Sequence, residues 1–387
     1  MKKGWQTKTL GDVCEIIKGR KPALKATSSN GDLPYLVAKV MRGSKEAEYA
    51  SVKDRNSITV EEAETIIICD GANSGEVFTG FRGILSSTMG KIAKKAEIDD
   101  DYLRAFLAST FDVFNGAKTG AAIPHLDKEA MYQLQFPVPP LPEQQRIVGL
   151  LDEAFAGLAT AKANAEKNLQ NARALFESHL QSVFTQRGPG WVEKLLEELG
   201  TITSSKRIFK SEYVESGVPF YRTKEIKQLA NGRDITTELF ISAARYKEIK
   251  TGFGVPQEGD ILLTAIGTIG EIWVVEGDND FYFKDGNVLW LKEFTSINPG
   301  FLRYVLVSFV ESLNKMAHGS AYSALPIQRL NAHRIFLPSK AEQEDIVATL
   351  DSLDEETQRL ARLYERKLVL LEALKKSLLH EAFTGQL

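Results

Sequence analysis

Two stretches of this chain carry apolar residues at alternating steps of three and four. From Ile147 they fall at Leu150, Ala154, Leu158, Ala161, Ala165, Leu169, Ala172, Phe176, Leu180 and Val183; from Ile346 they fall at Leu350, Leu353, Leu360, Tyr364, Leu368, Leu371, Leu374, Leu378 and Ala382. This spacing puts one apolar stripe along a helix, the seam of a helix packed on another helix. At 1.5 Å per residue each stretch spans about 60 Å. A helix that long with a single apolar stripe needs a partner face. Elsewhere the pattern changes. Short β-rich runs such as 66–69, 261–264 and 271–275 are bounded by Gly, Asn and Asp and read as strands and turns. Residues 101–109 and 299–308 read as short helices.

The two helical stretches are copies. Glu143-Gln144, Ile147-Val148 and Leu151-Asp152 recur as Glu342-Gln343, Ile346-Val347 and Leu350-Asp351, 199 residues on, and the offset still holds at Phe184-Thr185 and Phe383-Thr384. Internal repetition sets the architecture before any other signal. The stretches ahead of them echo each other more loosely. Gly4-Trp5 with Leu10 matches Gly190-Trp191 with Leu196; Pro34-Tyr35 with Lys39 matches Pro219-Phe220 with Lys224; Gly75-Glu76 matches Gly270-Glu271. The tryptophans are 186 residues apart and the helices 199, so the second globular stretch is 13 residues longer. Pro137–Pro142 ends the first globular stretch in an extended segment.

The expected fold is α+β: globular domains at 1–142 and 189–341, spacer helices at 143–188 and 342–387. The helices can pair along their length only if the second runs back. They are therefore expected to form an antiparallel coiled coil with a domain at each end, related by an approximate two-fold axis, and with the C-terminus close to the N-terminus.

Composition bounds the function. Hydrophobic residues make up 43% and charged residues 26% of 387, an ordinary globular balance. No apolar run reaches the ~20 residues of a membrane span. Cys14 and Cys69 are too few for a disulfide framework and suggest a reducing, cytoplasmic setting. The formal net charge of −3 argues against a nucleic-acid binder, whose usual mark is a basic balance.

Catalytic motifs fail one by one. Gly90-Lys91 lacks the partners of a phosphate-cradling loop, and Gly267–Gly270 holds only part of a dinucleotide fingerprint. The five histidines are scattered, with no Cys/His cluster for zinc. No nucleophile elbow is present. No catalytic residue, metal or cofactor is expected on this chain.

Residues suited to DNA do cluster. Arg and Lys read guanine, Asn and Gln read adenine, and Lys, Arg, Ser and Thr anchor phosphate. In the first domain these are Lys18, Arg20 and Lys21; Lys39, Arg42 and Lys45; Asn73 and Ser74; Lys118 and Thr119. In the second they are Ser205, Lys206 and Arg207; Arg222 and Lys224; Thr264 and Thr268; Ser320 and Tyr322. In both domains basic residues follow the opening strand and flank the shared aromatic-x-x-x-Lys element.

With two domains each opening on Trp and Leu, the run Pro-Pro-Leu-Pro-Glu-Gln-Gln-Arg-Ile-Val at 139–148, its degenerate copy at 338–347 and the matching helix ends, the chain resembles the specificity subunit of type I restriction–modification systems over essentially its whole length. The second copy lacks the Pro-Leu-Pro stretch. The resemblance implies that each domain is a target-recognition domain for one half of a split, asymmetric site in double-stranded DNA, and that the helices set the gap. It implies a non-catalytic subunit that recruits two methyltransferase subunits and joins restriction subunits. S-adenosylmethionine, Mg and ATP would be bound by those partners. Two rivals use the same features: a coiled-coil scaffold joining two protein partners without touching DNA, and a nuclease or methyltransferase with its own recognition domains.

Overall fold

The computed structural model describes residues 4–44, 46–116, 125–316 and 324–387. It divides into two compact units, residues 1–167 with 365–387 and residues 168–364.

In the first unit the opening strand Gln6–Thr9 pairs antiparallel with Gln135–Val138, the strand that precedes the central helix Leu141–Thr185. A four-stranded antiparallel sheet has the order Cys14–Lys18, Met89–Lys94, Ile66–Ile68, Val77–Phe78. A second sheet has the order Tyr49–Ser51, Asp32–Leu36, Gly83–Leu85, Thr59–Val60, with its middle pair parallel. The helix Asp100–Ser109 buries Tyr102, Leu103, Phe106 and Leu107. They share one core with Ile147 and Leu151 from the central helix and Leu379 and Ala382 from the C-terminal helix Lys340–Thr384. Phe383 meets Tyr102 and Phe106 edge-on, a favoured aromatic geometry. Lys162 lies 2.7 Å from Glu372, and Arg146 donates to the Leu387 carbonyl at 3.0 Å. Within this unit the two helix segments are thus antiparallel. Cys14 and Cys69 are buried here as free thiols, and burial pushes both up to about 11.

The second unit repeats the plan. Val192–Leu195 pairs antiparallel with Arg334–Leu337. One sheet runs Thr201–Thr203, Val288–Lys292, Ile261–Thr264, Ile272–Val274; the other runs Tyr213–Val214, Phe240–Ile241, Val218–Tyr221, Tyr282–Phe283. The helix Pro299–Met316 places Phe301 against Phe184 and Trp191. Leu180 of the central helix clusters with Tyr304 and Leu350. The helix Ala243–Gly252 has no counterpart among the described residues of the first unit. It falls in the stretch where the second unit is longer.

The repeated Glu-Gln pair has a structural reason. Gln144 and Gln343 are each 1% exposed. The amide of Gln144 donates to the Pro139 carbonyl at 2.8 Å and accepts from the Asp99 N–H at 2.9 Å. Gln343 does the same with the Pro338 carbonyl at 3.0 Å and the Asn298 N–H at 2.7 Å. Asp99 and Asn298 in turn cap the helices behind them, Asp99 taking the N–H groups of Asp101 and Tyr102, Asn298 those of Gly300 and Phe301. One buried glutamine therefore fixes the start of each long helix to the N-terminus of a globular-domain helix.

Both long helices contain 45 residues. The extended reading of Pro137–Pro142 is corrected at its end. Leu141 and Pro142 already belong to the helix, because proline fits the first turn, where its missing N–H has no partner to lose. The second helix begins at the equivalent Lys340 without that proline. Among the described residues no helix is long and apolar enough to cross a membrane.

Gln144→Leu leaves a buried carbonyl and a half-buried N–H without partners, at about 2–5 kcal/mol in total. Urea unfolding of the full chain is expected to show a loss of that size, and likewise for Gln343→Leu. An unchanged midpoint removes the glutamine from this role. Ser74 supplies the opposite case. Its side chain is fully buried and its hydroxyl has no hydrogen-bond partner. Ser74→Ala is expected to raise the thermal midpoint, by about 1 kcal/mol of stability, and a lowered midpoint refutes that.

Candidate nucleic-acid interface

In the first unit, Asp32–Leu36 leads into the short helix Ala38–Met41, which Met41 anchors in a core with Leu36, Ile66 and Ile68. This turns Lys39 outward, its side chain 63% exposed and 3.7 Å from Glu46. Arg42 follows the helix, pairs with Glu76 and lies 6.0 Å from the centre of the Phe78 ring. Glu76 ends the turn between Ile66–Ile68 and Val77–Phe78. Gly75 in that turn has φ +96°, and a Cβ there would sit 2.7 Å from the Phe114 Cβ, so glycine is required. Asn73 points from the turn to solvent.

At the base of the turn Asp70 binds Lys18 and His125, each at 2.8 Å. Burial pushes the Asp70 carboxyl up. Hydrogen bonds and charge from Lys18 and His125 outweigh it and hold the group below the usual carboxylate range. Beyond Lys18, Arg20 and Lys21 are exposed and have no ion pair among the described residues. The strand end, the turn and the helix thus bring Lys18, Arg42 and Asn73 to one end of the unit.

In the second unit the equivalent helix is longer, Thr223–Ala230. Glu225, 1% exposed, accepts from the Arg222 N–H at 2.8 Å and from its guanidinium at 2.6 Å. Arg222 and Lys224 also share Glu238, each at 2.7 Å. Glu271 takes Lys227 at 3.0 Å and the Asn231 amide at 2.9 Å. By chain position Lys227 and Glu271 stand where Arg42 and Glu76 stand in the first unit. The same bridge from this helix to the glycine turn is therefore present in both units with one partner changed. Lys224, Lys227, Gln228, Asn231, Arg233 and Thr268 line a cavity of about 330 Å³ beside the helix. Nearby, Arg207 is 2.8 Å from Asp285 and 68% exposed, Lys206 Nζ lies 4.3 Å from the Phe253 ring centre, and the Ser205 hydroxyl donates to the Phe283 carbonyl at 2.7 Å.

Two readings of the sequence change. Ser74 is fully buried, so its side chain cannot meet DNA in this conformation. Thr264 is also 0% exposed. Its hydroxyl donates to the Thr268 carbonyl at 2.5 Å and accepts from the Glu271 N–H at 3.0 Å, so it shapes the turn. Arg222, its side chain 31% exposed, keeps a place on the face while Glu225 ties it to the helix start from beneath. Lys45, Lys118, Thr119, Ser320 and Tyr322 lie outside the described residues. Lys227, Gln228, Asn231 and Arg233 were missed from sequence. The signal was available, since Lys227 follows Lys224 by the spacing at which Arg42 follows Lys39.

The chain matches the family model described as type I restriction modification DNA specificity domain twice, over residues 2–169 and 189–365. The type I restriction enzyme MjaVIII specificity subunit of Methanocaldococcus jannaschii is 28% identical, across 99% of this chain and 93% of that protein. The type I restriction enzyme EcoBI specificity subunit of Escherichia coli is 23% identical, across 99% and 86%. Two solved structures share the fold at 20% identity. The HsdS subunit from Thermoanaerobacter tengcongensis has a TM-score of 0.58 over 100% of this chain and 98% of that one. A chain from a study of complex assembly and conformational transition of the type I R-M system has a TM-score of 0.76 over 100% and 99%. With both of its halves matched, the chain belongs to the type I restriction modification DNA specificity family.

Proposed function

We propose that this chain is the sequence-reading subunit of a type I restriction–modification assembly. Each globular domain reads one half of a bipartite site in double-stranded DNA, the long helices fix the gap, and the chain recruits methyltransferase and restriction subunits. The observation that carries this reading is the twice-built face of recognition helix, glycine turn and strand end. Its outward groups are cations, amides and hydroxyls, which contact phosphate and base edges without making or breaking bonds. The two faces differ in residues, Arg42 and Asn73 against Lys227, Gln228 and Asn231, so the half-sites are unlike and the whole site is not a palindrome. A spacer role fits two helices of equal length, 45 residues each, between domains of different length. Half-sites about one helical turn apart, roughly 34–36 Å, suit one face of a duplex.

The subunit is non-catalytic in this reading. Methylation of adenine takes the base out of the stack into a pocket, and we assign that pocket, with S-adenosylmethionine, to the partner methyltransferases; Mg and ATP belong with the restriction subunits. A protein partner is also supported by Val369, Leu370 and Leu374 on the C-terminal helix, exposed at 69%, 57% and 48%.

Single-molecule methylome sequencing of a host expressing this chain with its methyltransferase is expected to show a split, asymmetric motif. Shortening both long helices by one turn each is expected to change the gap and leave the half-sites unchanged. A palindrome, or altered half-sites with an unchanged gap, refutes the reading. Arg233→Ala, which removes a cation with no ion pair among the described residues, is expected to weaken binding by the assembled complex and to reduce its salt slope by about 0.9 if the contact is to phosphate. Unaltered affinity and slope take Arg233 out of the interface.

A further inference from the structure

The cations on these faces are mostly spoken for. Lys18 is paired with Asp70, Arg42 with Glu76, Arg207 with Asp285, Lys227 with Glu271, and Lys224 with Glu238. Exposed ion pairs contribute little to folding, so their recurrence on a face that meets a polyanion has another use. A cation already held by a carboxylate neutralises a phosphate only by giving up that partner, so in a loose encounter it releases few of the counterions condensed on the DNA. Pairing therefore removes much of the sequence-independent, salt-driven part of DNA binding.

The carboxylates are not alike. Glu225 is buried under Arg222 and holds both its N–H and its guanidinium. Glu76 and Glu271 tie the recognition helix to the glycine turn in both units, and Glu271 holds Asn231 as well as Lys227. Glu238 differs on each point. It lies in a stretch with neither helix nor strand, its side chain is 49% exposed, and its contacts here are to Arg222 and Lys224. The two cations hold its carboxyl down to about 2, so it is ionised at any working pH. It is the most exposed acid in this group, and when it leaves Arg222 keeps Glu225.

We propose that Glu238 is a specificity-determining residue, a built-in stand-in for phosphate that occupies Lys224 until a well-fitting duplex displaces it. The inference rests on the DNA-reading function proposed above. Unrelated DNA, which docks loosely, gains nothing from Lys224 because the carboxylate already sits there. A cognate half-site, held by the remaining contacts, brings its phosphate close enough to exchange places with Glu238.

The test uses the full chain assembled with its methyltransferase subunits, and fluorescence anisotropy with a labelled cognate duplex and a labelled unrelated one. Glu238→Gln keeps the shape and removes the charge, and Glu238→Ala runs in parallel. Both are expected to bind the unrelated duplex more tightly and to steepen its salt slope by about 0.9, one further phosphate neutralised. That slope makes the gain over wild type about 3.5-fold larger at 50 mM than at 200 mM salt. The ratio of cognate to unrelated affinity falls. Adding Lys224→Met to Glu238→Gln returns the slope to wild type. Glu276→Gln removes an exposed carboxylate with no ion pair among the described residues, and leaves the slope alone. Weaker or unchanged binding of the unrelated duplex by both Glu238 variants, with an unaltered slope, overturns the masking role and leaves the DNA-reading function standing. Wild-type complex that binds neither duplex in a salt-dependent way overturns the function itself, and this inference with it.

Discussion

The structure depends on a side-chain amide used twice. A long helix can be specified by its apolar stripe, but a stripe does not say where along the helix a domain sits or which way it faces. Gln144 and Gln343 supply that information. Each is buried and uses its donor on one side and its acceptor on the other, so both its position and its orientation are determined. A buried amide with both ends satisfied is stable, and one with either end unmatched is costly. Any register slip between helix and domain breaks both bonds together. Two globular domains that have diverged over most of their surface thus keep the same junction.

Much of this could be seen in the letters, and the part that could not has a common cause. The long helices and the β-rich runs follow from local periodicity, and the structure places them within a few residues of expectation. The repeated Glu-Gln pair was visible as a repeat, while its role was hidden because each glutamine reaches a partner 45 residues back. The same holds for the candidate interface. Exposed cations could be proposed from composition, but their acids come from elsewhere in the chain, Glu76 for Arg42 and Glu271 for Lys227. Ser74 and Thr264 looked like surface hydroxyls because turn residues usually are. Only tertiary packing decides that one lies in a closed core and the other props up its own turn.

The near-neutral charge, which counted against a DNA-binding role on composition, reads differently once partners are placed. Several of the acids that balance the sum stand directly on cations of the candidate faces. Total charge speaks to long-range attraction and solubility, while a reading face depends on which charges are free when the groove arrives. In the first unit Arg20 and Lys21 have no ion pair among the described residues, and in the second neither has Arg233. A chain of this composition can hold a duplex locally without attracting nucleic acid in general.

Both thiols lie in the same unit, closed off by packing and with their acidity suppressed. A thiol in that state reacts slowly with alkylating or disulfide reagents, because the thiolate is the reactive form. Labelling of Cys14 and Cys69 is therefore a clock for transient opening of the first unit, and the cysteine-free second unit runs silent beside it. The chain carries, without engineering, a way to time the breathing of one domain separately from the other.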